Sequence, residues 1–403
     1  MTAKLKIQNL TKIFGPNARE GLDRLQAGDS KAAIFEATGN TVGIDNASFD
    51  VEQGQIFVVM GLSGSGKSTL VRTLNGLIAP TSGSILIDGE DIASCSPATL
   101  REVRRNKVAM VFQHFALFPH MSVADNVAYG LKIKGIAAAE RRRRAELALE
   151  QVGLAAYADS TPAELSGGMQ QRVGLARGLA TDPEILLMDE PFGALDPLIR
   201  RDVQDELLRL QKKLRKTIIF ITHDLNEALL LGDRIAIMKD GAIVQIGTAQ
   251  EIVDTPADDY VRAFVADIDR GRVFTAESVS SADPVVLQLG TDTSETAMQS
   301  MEDANCNALY VLDGEEIAGV VTYQDAMAAS RDDDATLADA IQSDFPTADR
   351  GSALHELYGA ASSGLPIAVT DDNNRLVGVV EPEALLAQLS GDTSADPAPA
   401  AKP

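Results

Sequence analysis

Cysteine is scarce in this chain of 403 residues: Cys95 and Cys306 stand far apart and without metal-ligand spacing. That excludes a disulfide framework or a thiolate metal site, and leaves structural or incidental thiols. Long apolar runs are missing too. No stretch reaches the eighteen or so residues that read as a membrane span, and the opening MTAKLKIQNLTKIF lacks the apolar core of a secretory signal. These absences predict a cytoplasmic chain whose dealings with a membrane run through a partner. Basic residues are rare over one long stretch. Residues 275–390 hold 21 Asp/Glu against 3 Lys/Arg, whereas residues 1–274 hold 35 against 32. A nearly neutral module therefore precedes a strongly acidic one, within a net charge of −22. The acidity reads as a solvated, solubilising surface. It argues against nucleic acid and anionic lipid as partners, since both need clustered Lys/Arg.

What the chain does contain is an alternation of strand and helix signals. LKIQNL reads as a strand, and residues 16–40 as a mostly helical insertion with Leu22, Leu25, Ile34 and Phe35 as apolar positions. SFDVEQGQIFVVM reads as a strand, a turn at Gln53-Gly54 and a buried strand. SGSILIDG and VAMVFQ are further strands, and residues 122–180 are helix-rich. EILLMDE and TIIFITHD are continuous apolar runs, as in buried parallel strands, and DRIAIMKDGAIVQIG reads as a hairpin. The fold class is therefore α/β with an inserted helical segment. The acidic module repeats itself. ALYVLDGEEIAGVVTYQDAM resembles LPIAVTDDNNRLVGVVEPEALL, with Gly319 and Gly378 aligned at an offset of 59, each copy reading strand, acidic turn, strand, helix. Such a duplication predicts two halves packed together. The Pro/Ala-rich tail, residues 391–403, reads as disordered.

The strongest chemical signal is GLSGSGKST at residues 61–69, which runs out of a buried strand into a helix. It fits G-x-x-x-x-G-K-[ST] in the strand–loop–helix setting that the pattern requires. Gly61, Ser63, Gly64, Ser65 and Gly66 would let backbone N–H groups converge on phosphate oxygens, next to a helix N-terminus of positive potential. Lys67 would reach the β- and γ-phosphates, Ser68 would hold Mg²⁺, and Thr69 completes the motif. Asp189, ending ILLMD, is placed to hold Mg²⁺ directly or through water. Glu190 is placed to polarise an attacking water. A second glycine turn, LSGGMQQR, opens a helix at Ser166, Gly167 and Gly168 and is a second anion site. Asp196 before Pro197 reads by itself as a turn or helix cap. ERRRRAEL, residues 140–147, reads as a solvated helix face.

GLSGSGKST, Gln113 in VFQ, LSGGMQQR, ILLMDEP, ALD at residues 194–196 and His223 in ITHD stand in the order seen in ABC-transporter ATPases. The resemblance covers roughly residues 4–250. It implies a P-loop NTPase cassette that binds ATP and Mg²⁺. It also explains two anion sites in one chain. The LSGG turn, with Ser166, Gly167, Gly168 and Gln170, serves the γ-phosphate held by a second copy in a head-to-tail dimer. The same resemblance implies that Phe14 stacks on adenine and that Gln113 senses Mg²⁺ and γ-phosphate. His223 would hydrogen-bond the γ-phosphate, and Asp196 would link the two sites.

The helical insertion, MVFQHFALFPHMSVADNVAYG, DEPFGALDPLIRRDVQDEL and the duplicated acidic module together resemble ATP-binding subunits of glycine betaine/proline betaine importers, over nearly the whole chain. This implies a cassette at residues 1–274, with the helical insertion at about 16–40 and a helical subdomain at about 95–180. An α+β pair of cystathionine-β-synthase (CBS) domains follows at residues 275–390. It further implies transmembrane permease subunits, an extracytoplasmic substrate-binding protein, and a peripheral place on the cytoplasmic side of the membrane. GVVTYQD at residues 319–325 matches a half-motif for adenosine ribose in CBS pairs, and Gly364-Leu-Pro366 fits the usual strand entry. In the second copy Glu381 and Ala384 replace the motif's Thr and Asp, so a sensing and a purely structural CBS pair both stay open. Two functional alternatives also stay open: an importer of choline or carnitine, and a nucleotide-gated soluble sensor, against which the carboxylate at Glu190 speaks. An ABC ATPase of translation or DNA repair would have a second cassette or a coiled coil, and neither is present.

Overall fold

The computed structural model describes residues 3–332 and 335–390. The chain divides into two compact units between Ala266 and Asp267. That point lies a little before residue 274 because the helix Arg270–Val273 belongs with the second unit: His355 hydrogen-bonds the Gly271 carbonyl, and Arg270 donates to the Gln388 carbonyl. The expected tail at 391–403 lies outside the described residues.

The described strands of the first unit are β1 (Ala3–Phe14), β2 (Thr41–Glu52), β3 (Ile56–Met60), β4 (Ser82–Ile87), β5 (Glu90–Asp91), β6 (Val108–Val111), β7 (Ile185–Asp189), β8 (Thr217–Thr222), β9 (Arg234–Lys239) and β10 (Ala242–Gly247). Its main helices are α1 (Ala18–Gln26), α2 (Lys31–Thr38), α3 (Lys67–Leu74), α4 (Pro97–Asn106), α5 (Val123–Ile133), α6 (Ala138–Gln151), α7 (Gly167–Ala180), α8 (Pro197–Leu214) and α9 (Leu225–Leu231). One sheet is antiparallel in the order β2-β1-β4-β5; the other runs β10-β9-β3-β8-β7-β6 and is parallel except for β10. Every residue of β3, β7 and β8 is buried, which is why those segments read as unbroken apolar runs rather than alternating ones. The two sheets share one core, with Phe49 of β2 stacked on Phe57 of β3 at 4.7 Å. Burying each such large apolar side chain contributes about 1.5–3 kcal/mol.

The order β3-β8-β7 fixes the site. It sets the carboxyl ends of three neighbouring parallel strands side by side, where open α/β sheets bind ligands. The helices α5, α6 and α7 lie between β6 and β7 in the chain and pack on one another. The arginines of α6 spend themselves locally: Arg142 pairs with Glu146 and Asp159, while Arg143 and Arg144 pair with Glu140. In the insertion, Leu22, Leu25 and Ile34 close over Ile13 and Val42, whereas Phe35 is exposed.

The second unit holds two three-stranded sheets of the same design. β11 (Val286–Gln288), β12 (Ala308–Asp313) and β13 (Glu316–Thr322) form one; β14 (Thr347–Asp349), β15 (Ile367–Thr370) and β16 (Leu376–Val380) form the other. In each, the first pair is parallel and the second antiparallel. Ala308, Tyr310 and Val320 of one copy pack with Ala368 and Val379 of the other. The Tyr310 hydroxyl donates to the Pro366 carbonyl at 2.7 Å, and burial pushes this phenol well above the ordinary range. In the half-motif of the first copy, the Asp325 carboxylate accepts from Thr322 and Gln342. In the second copy burial pushes the Glu381 carboxyl up.

Candidate phosphate-binding and hydrolysis site

Three of the six residues in the loop after β3, at positions 61, 64 and 66, are glycine. Gly66, the N-cap of α3, has φ +101, and a Cβ there would lie 2.4 Å from the Gly43 carbonyl. Only glycine meets both conditions without strain. Gly61 and Gly64 also have positive φ. The Ser65 carbonyl accepts from Gly241 N–H at 2.9 Å, which ties the loop to the β9–β10 turn. The Ser65 hydroxyl is buried without a hydrogen-bond partner, and Ser63 is exposed on the loop. Lys67 is 4% exposed, and its ammonium turns back onto the Gly61 and Leu62 carbonyls at 2.7 and 2.9 Å. Burial pushes this lysine below its ordinary range, while Glu190 and Asp189 pull it back. A bound polyanion relieves that desolvation, so the loop suits phosphate. Thr69 lies in the first turn of the same helix, where a Cβ at Gly43 would come 3.5 Å from its Cγ2.

Ser68 Oγ donates to Asp189 Oδ1 at 3.1 Å, and Arg72 stands 3.9 Å from Oδ2. Burial pushes the Asp189 carboxyl up, against the pull of Ser68 and Arg72. This hydroxyl–carboxylate pair is the hard-oxygen donor set that Mg²⁺ takes when phosphates complete its shell. The next residue, Glu190, has φ +44, a left-handed conformation uncommon outside glycine and concentrated at functional sites. Its N–H still bonds the Ile221 carbonyl of β8 at 3.0 Å, so the strained residue is clamped to the sheet. Its Oε2 meets His223 Nδ1 at 3.0 Å and Gln113 Nε2 at 3.5 Å. Gln113 follows β6, Glu190 follows β7 and His223 follows β8, so three strand ends deliver three side chains to one point. Arg177 of α7 holds the loop after Gln113 by donating to the carbonyls of Phe115 and Ala116, both at positive φ.

The other expected residues lie elsewhere in the first unit. Phe14, at the end of β1, is 40% exposed; its ring lies over Gly43, with Lys12 Nζ 5.0 Å from its centroid. Ser166 caps α7 by accepting from Met169 N–H, and Gly167 and Gly168 form its first turn. A Cβ at Gly168 would lie 2.2 Å from Ile199 Cγ2 of α8. Gln170 turns its amide onto the Pro162 and Leu165 carbonyls and so shapes the turn. Asp196 caps α8 by accepting from Ile199 N–H at 3.1 Å. Thus Lys67, Ser68, Gln113, Asp189, Glu190 and His223 converge, while Ser166–Gln170 and Asp196 stand together around the start of α8.

Sequence reasoning missed the group behind His223. Glu227, 5% exposed, accepts from Thr222 Oγ1 at 2.6 Å and from Gln204 Nε2 at 3.0 Å; Arg200 reaches Asp224 at 3.2 Å. The only signal was an acidic pair flanking the start of α9, which reads equally well as capping.

Comparison with known proteins places the chain in a family. The ABC transporter family matches residues 44–193 and the CBS domain family residues 276–332. The glycine betaine/carnitine transport ATP-binding protein GbuA of Listeria monocytogenes is 48% identical, over 97% of this chain and 98% of its own. The glycine betaine/proline betaine transport system ATP-binding protein ProV of Salmonella typhimurium is 49% identical, over 96% and 98%. Among solved structures, a dimeric ATP-binding cassette in a post-hydrolysis state bound to ADP and Pi matches at TM-score 0.51 and 32% identity, over 60% of this chain and 98% of its own. With a phosphate cradle, a strained carboxylate at a strand end and near-complete alignment to such relatives, the chain belongs to the ATP-binding subunits of ABC transporters in the glycine betaine/proline betaine family, ATPases coupled to transport.

Proposed function

We propose that this chain drives uptake of glycine betaine and related quaternary amines. Two copies close head to tail on two ATP molecules and reopen after hydrolysis. The observation that carries the hydrolytic part is the meeting of Gln113, Glu190 and His223 at one point beside Lys67 and Ser68.

In this reading the loop amides and Lys67 grip the β- and γ-phosphates, and Phe14 stacks on adenine. Ser68 and Asp189, with Gln113 near the γ-phosphate, would hold Mg²⁺, which when bound neutralises phosphate charge. Glu190 orients and polarises the attacking water, and His223 donates to the γ-phosphate once its bond to Glu190 rearranges. Ser166, Gly167, Gly168 and Gln170 of the second copy cover that phosphate from the other side, and Asp196 joins the two sites. Among the described residues no helix is long and apolar enough to cross a membrane. By its likeness to the transport ATP-binding relatives, the chain acts at the cytoplasmic face through transmembrane permease subunits, fed by an extracytoplasmic binding protein. The CBS pair at residues 275–390 serves as a regulatory module.

Glu190→Gln tests the assignment. It removes the base but keeps the shape, so ATP hydrolysis should fall by ~10²-fold or more, and ATP should trap a dimer visible by size-exclusion chromatography. Hydrolysis at the wild-type rate would remove Glu190 from its role.

A further inference from the structure

The residue after β8 is bracketed. Thr222 and Asp224, the two chain neighbours of His223, are both held by one buried polar cluster, and that cluster reaches the start of α8. Glu227 accepts from Thr222 Oγ1 at 2.6 Å and from Gln204 Nε2 of α8 at 3.0 Å. Thr222 Oγ1 in turn accepts from Asp224 N–H at 2.9 Å. Arg200 of α8 donates to Asp224 Oδ2 at 3.2 Å and, through its other terminal nitrogen, to the Leu195 carbonyl at 3.3 Å. Leu195 immediately precedes Asp196. Arg200 Nε is buried without a hydrogen bond and stands 3.8 Å from Glu227 Oε1. A small inward shift of α8 would convert that contact into a charge-assisted bond, the strong kind.

We propose that Arg200 and Glu227 form a strut that positions His223 and couples it to the Asp196 turn. Arg200 is the hub, because its planar fork reaches the backbone on one side and a carboxylate on the other. Movement of the Asp196 turn on dimer closure is transmitted through Leu195 and Arg200 to Asp224, and so to the backbone of His223. Among the described residues Arg200 and Glu227 make no hydrogen bond or ion pair to Lys67, Ser68 or Glu190, so both are positioning residues that act through His223. The inference rests on the reading of Glu190 and His223 as the hydrolytic pair.

The test uses the full chain assembled with its permease partners and measures ATP hydrolysis against ATP concentration. Arg200→Met and Arg200→Lys are compared with Glu190→Gln and His223→Ala, with folded sites counted by binding of a non-hydrolysable ATP analogue. Arg200→Met should lower kcat per folded site by about 10- to 100-fold, the scale of a small misplacement far from the chemistry. KM for ATP should change little, and the cooperativity between the two sites should be lost. Arg200→Lys keeps the charge without the fork and should restore part of kcat. If Arg200→Met does not fold, a kcat for Arg200→Lys well below the wild type, with KM kept, carries the same expectation. Wild-type kcat and cooperativity in a folded Arg200 variant, beside inactive Glu190→Gln and His223→Ala, would overturn the strut alone. Activity surviving in those two variants would overturn the hydrolytic reading beneath it.

Discussion

His223 Nδ1 lies 3.0 Å from Glu190 Oε2, although the two residues leave different strands. The contact exists because β7 and β8 are parallel neighbours with Asp189 paired to Ile221, so the residues that follow them emerge side by side. Glu190 adds a left-handed backbone at that exit, which turns its carboxylate along the sheet edge toward His223 and Gln113. In the proposed mechanism the two groups act separately, Glu190 on water and His223 on phosphate.

Gly66→Ala should abolish nucleotide binding and destabilise the fold. The position combines positive φ, about 1–3 kcal/mol of strain for another residue, with a carbonyl 2.4 Å from the new methyl. Analogue binding and a urea titration check both parts. Normal binding by a folded Gly66→Ala variant would contradict the close-packed loop.

Gly168→Ala should block dimer closure while leaving the phosphate loop able to bind ATP. The new methyl would meet Ile199 Cγ2 at 2.2 Å, so the first turn of α7 or the start of α8 must move. Adding Ile199→Ala should restore much of the loss, with a coupling of roughly 0.5–3 kcal/mol between the two sites. ATP-dependent dimerisation, measured in the Glu190→Gln background, is the readout. Additive effects would place the defect elsewhere.

Glu227 gives a pH dependence with a definite sign. Burial pushes its carboxyl above the ordinary 4.5, helped by Asp224 and opposed by Thr222, Arg200 and His223. A carboxyl raised on folding binds protons more tightly in the native state. Its contribution is most favourable below the unfolded value and is lost as pH rises through the folded one. Glu227→Gln cannot ionise, so its stability relative to the wild type should improve as pH rises from about 4.5 through that window. Thermal midpoints of both proteins across pH 5–9 check it; a Glu227→Gln midpoint that falls relative to the wild type as pH rises would reverse the sign.

Much of this was legible along the chain. The glycine loop, the buried runs that became β3, β7 and β8, the β9–β10 hairpin and the duplicated acidic unit all carry local signals of period, turn or motif. The helical insertion was legible from its apolar positions, of which Leu22 and Leu25 of α1 and Ile34 of α2 form its inner face while Phe35 stays exposed. The Arg200–Glu227 cluster was not, because Arg200 and Gln204 of α8 reach Asp224 and Glu227 only in the tertiary fold, and each residue alone reads as an ordinary polar helix position. Gln170 illustrates another limit. Its place beside the second glycine turn is plain in the sequence, but its amide turns onto the Pro162 and Leu165 carbonyls, a choice made by tertiary packing. The division at Ala266 and Asp267 was equally hidden, since the short helix Arg270–Val273 is claimed by contacts to residues 355 and 388.

The most direct test of the central claim is uptake of labelled glycine betaine in cells that lack other betaine uptake and co-express this chain with its permease and binding subunits. The Glu190→Gln variant runs beside it. The account predicts uptake with the wild-type chain and none with the variant. An assembled complex that hydrolyses ATP yet takes up no glycine betaine would contradict the substrate, and choline and carnitine would then be tried. Uptake that persists with Glu190→Gln would contradict the coupling of transport to hydrolysis at this site.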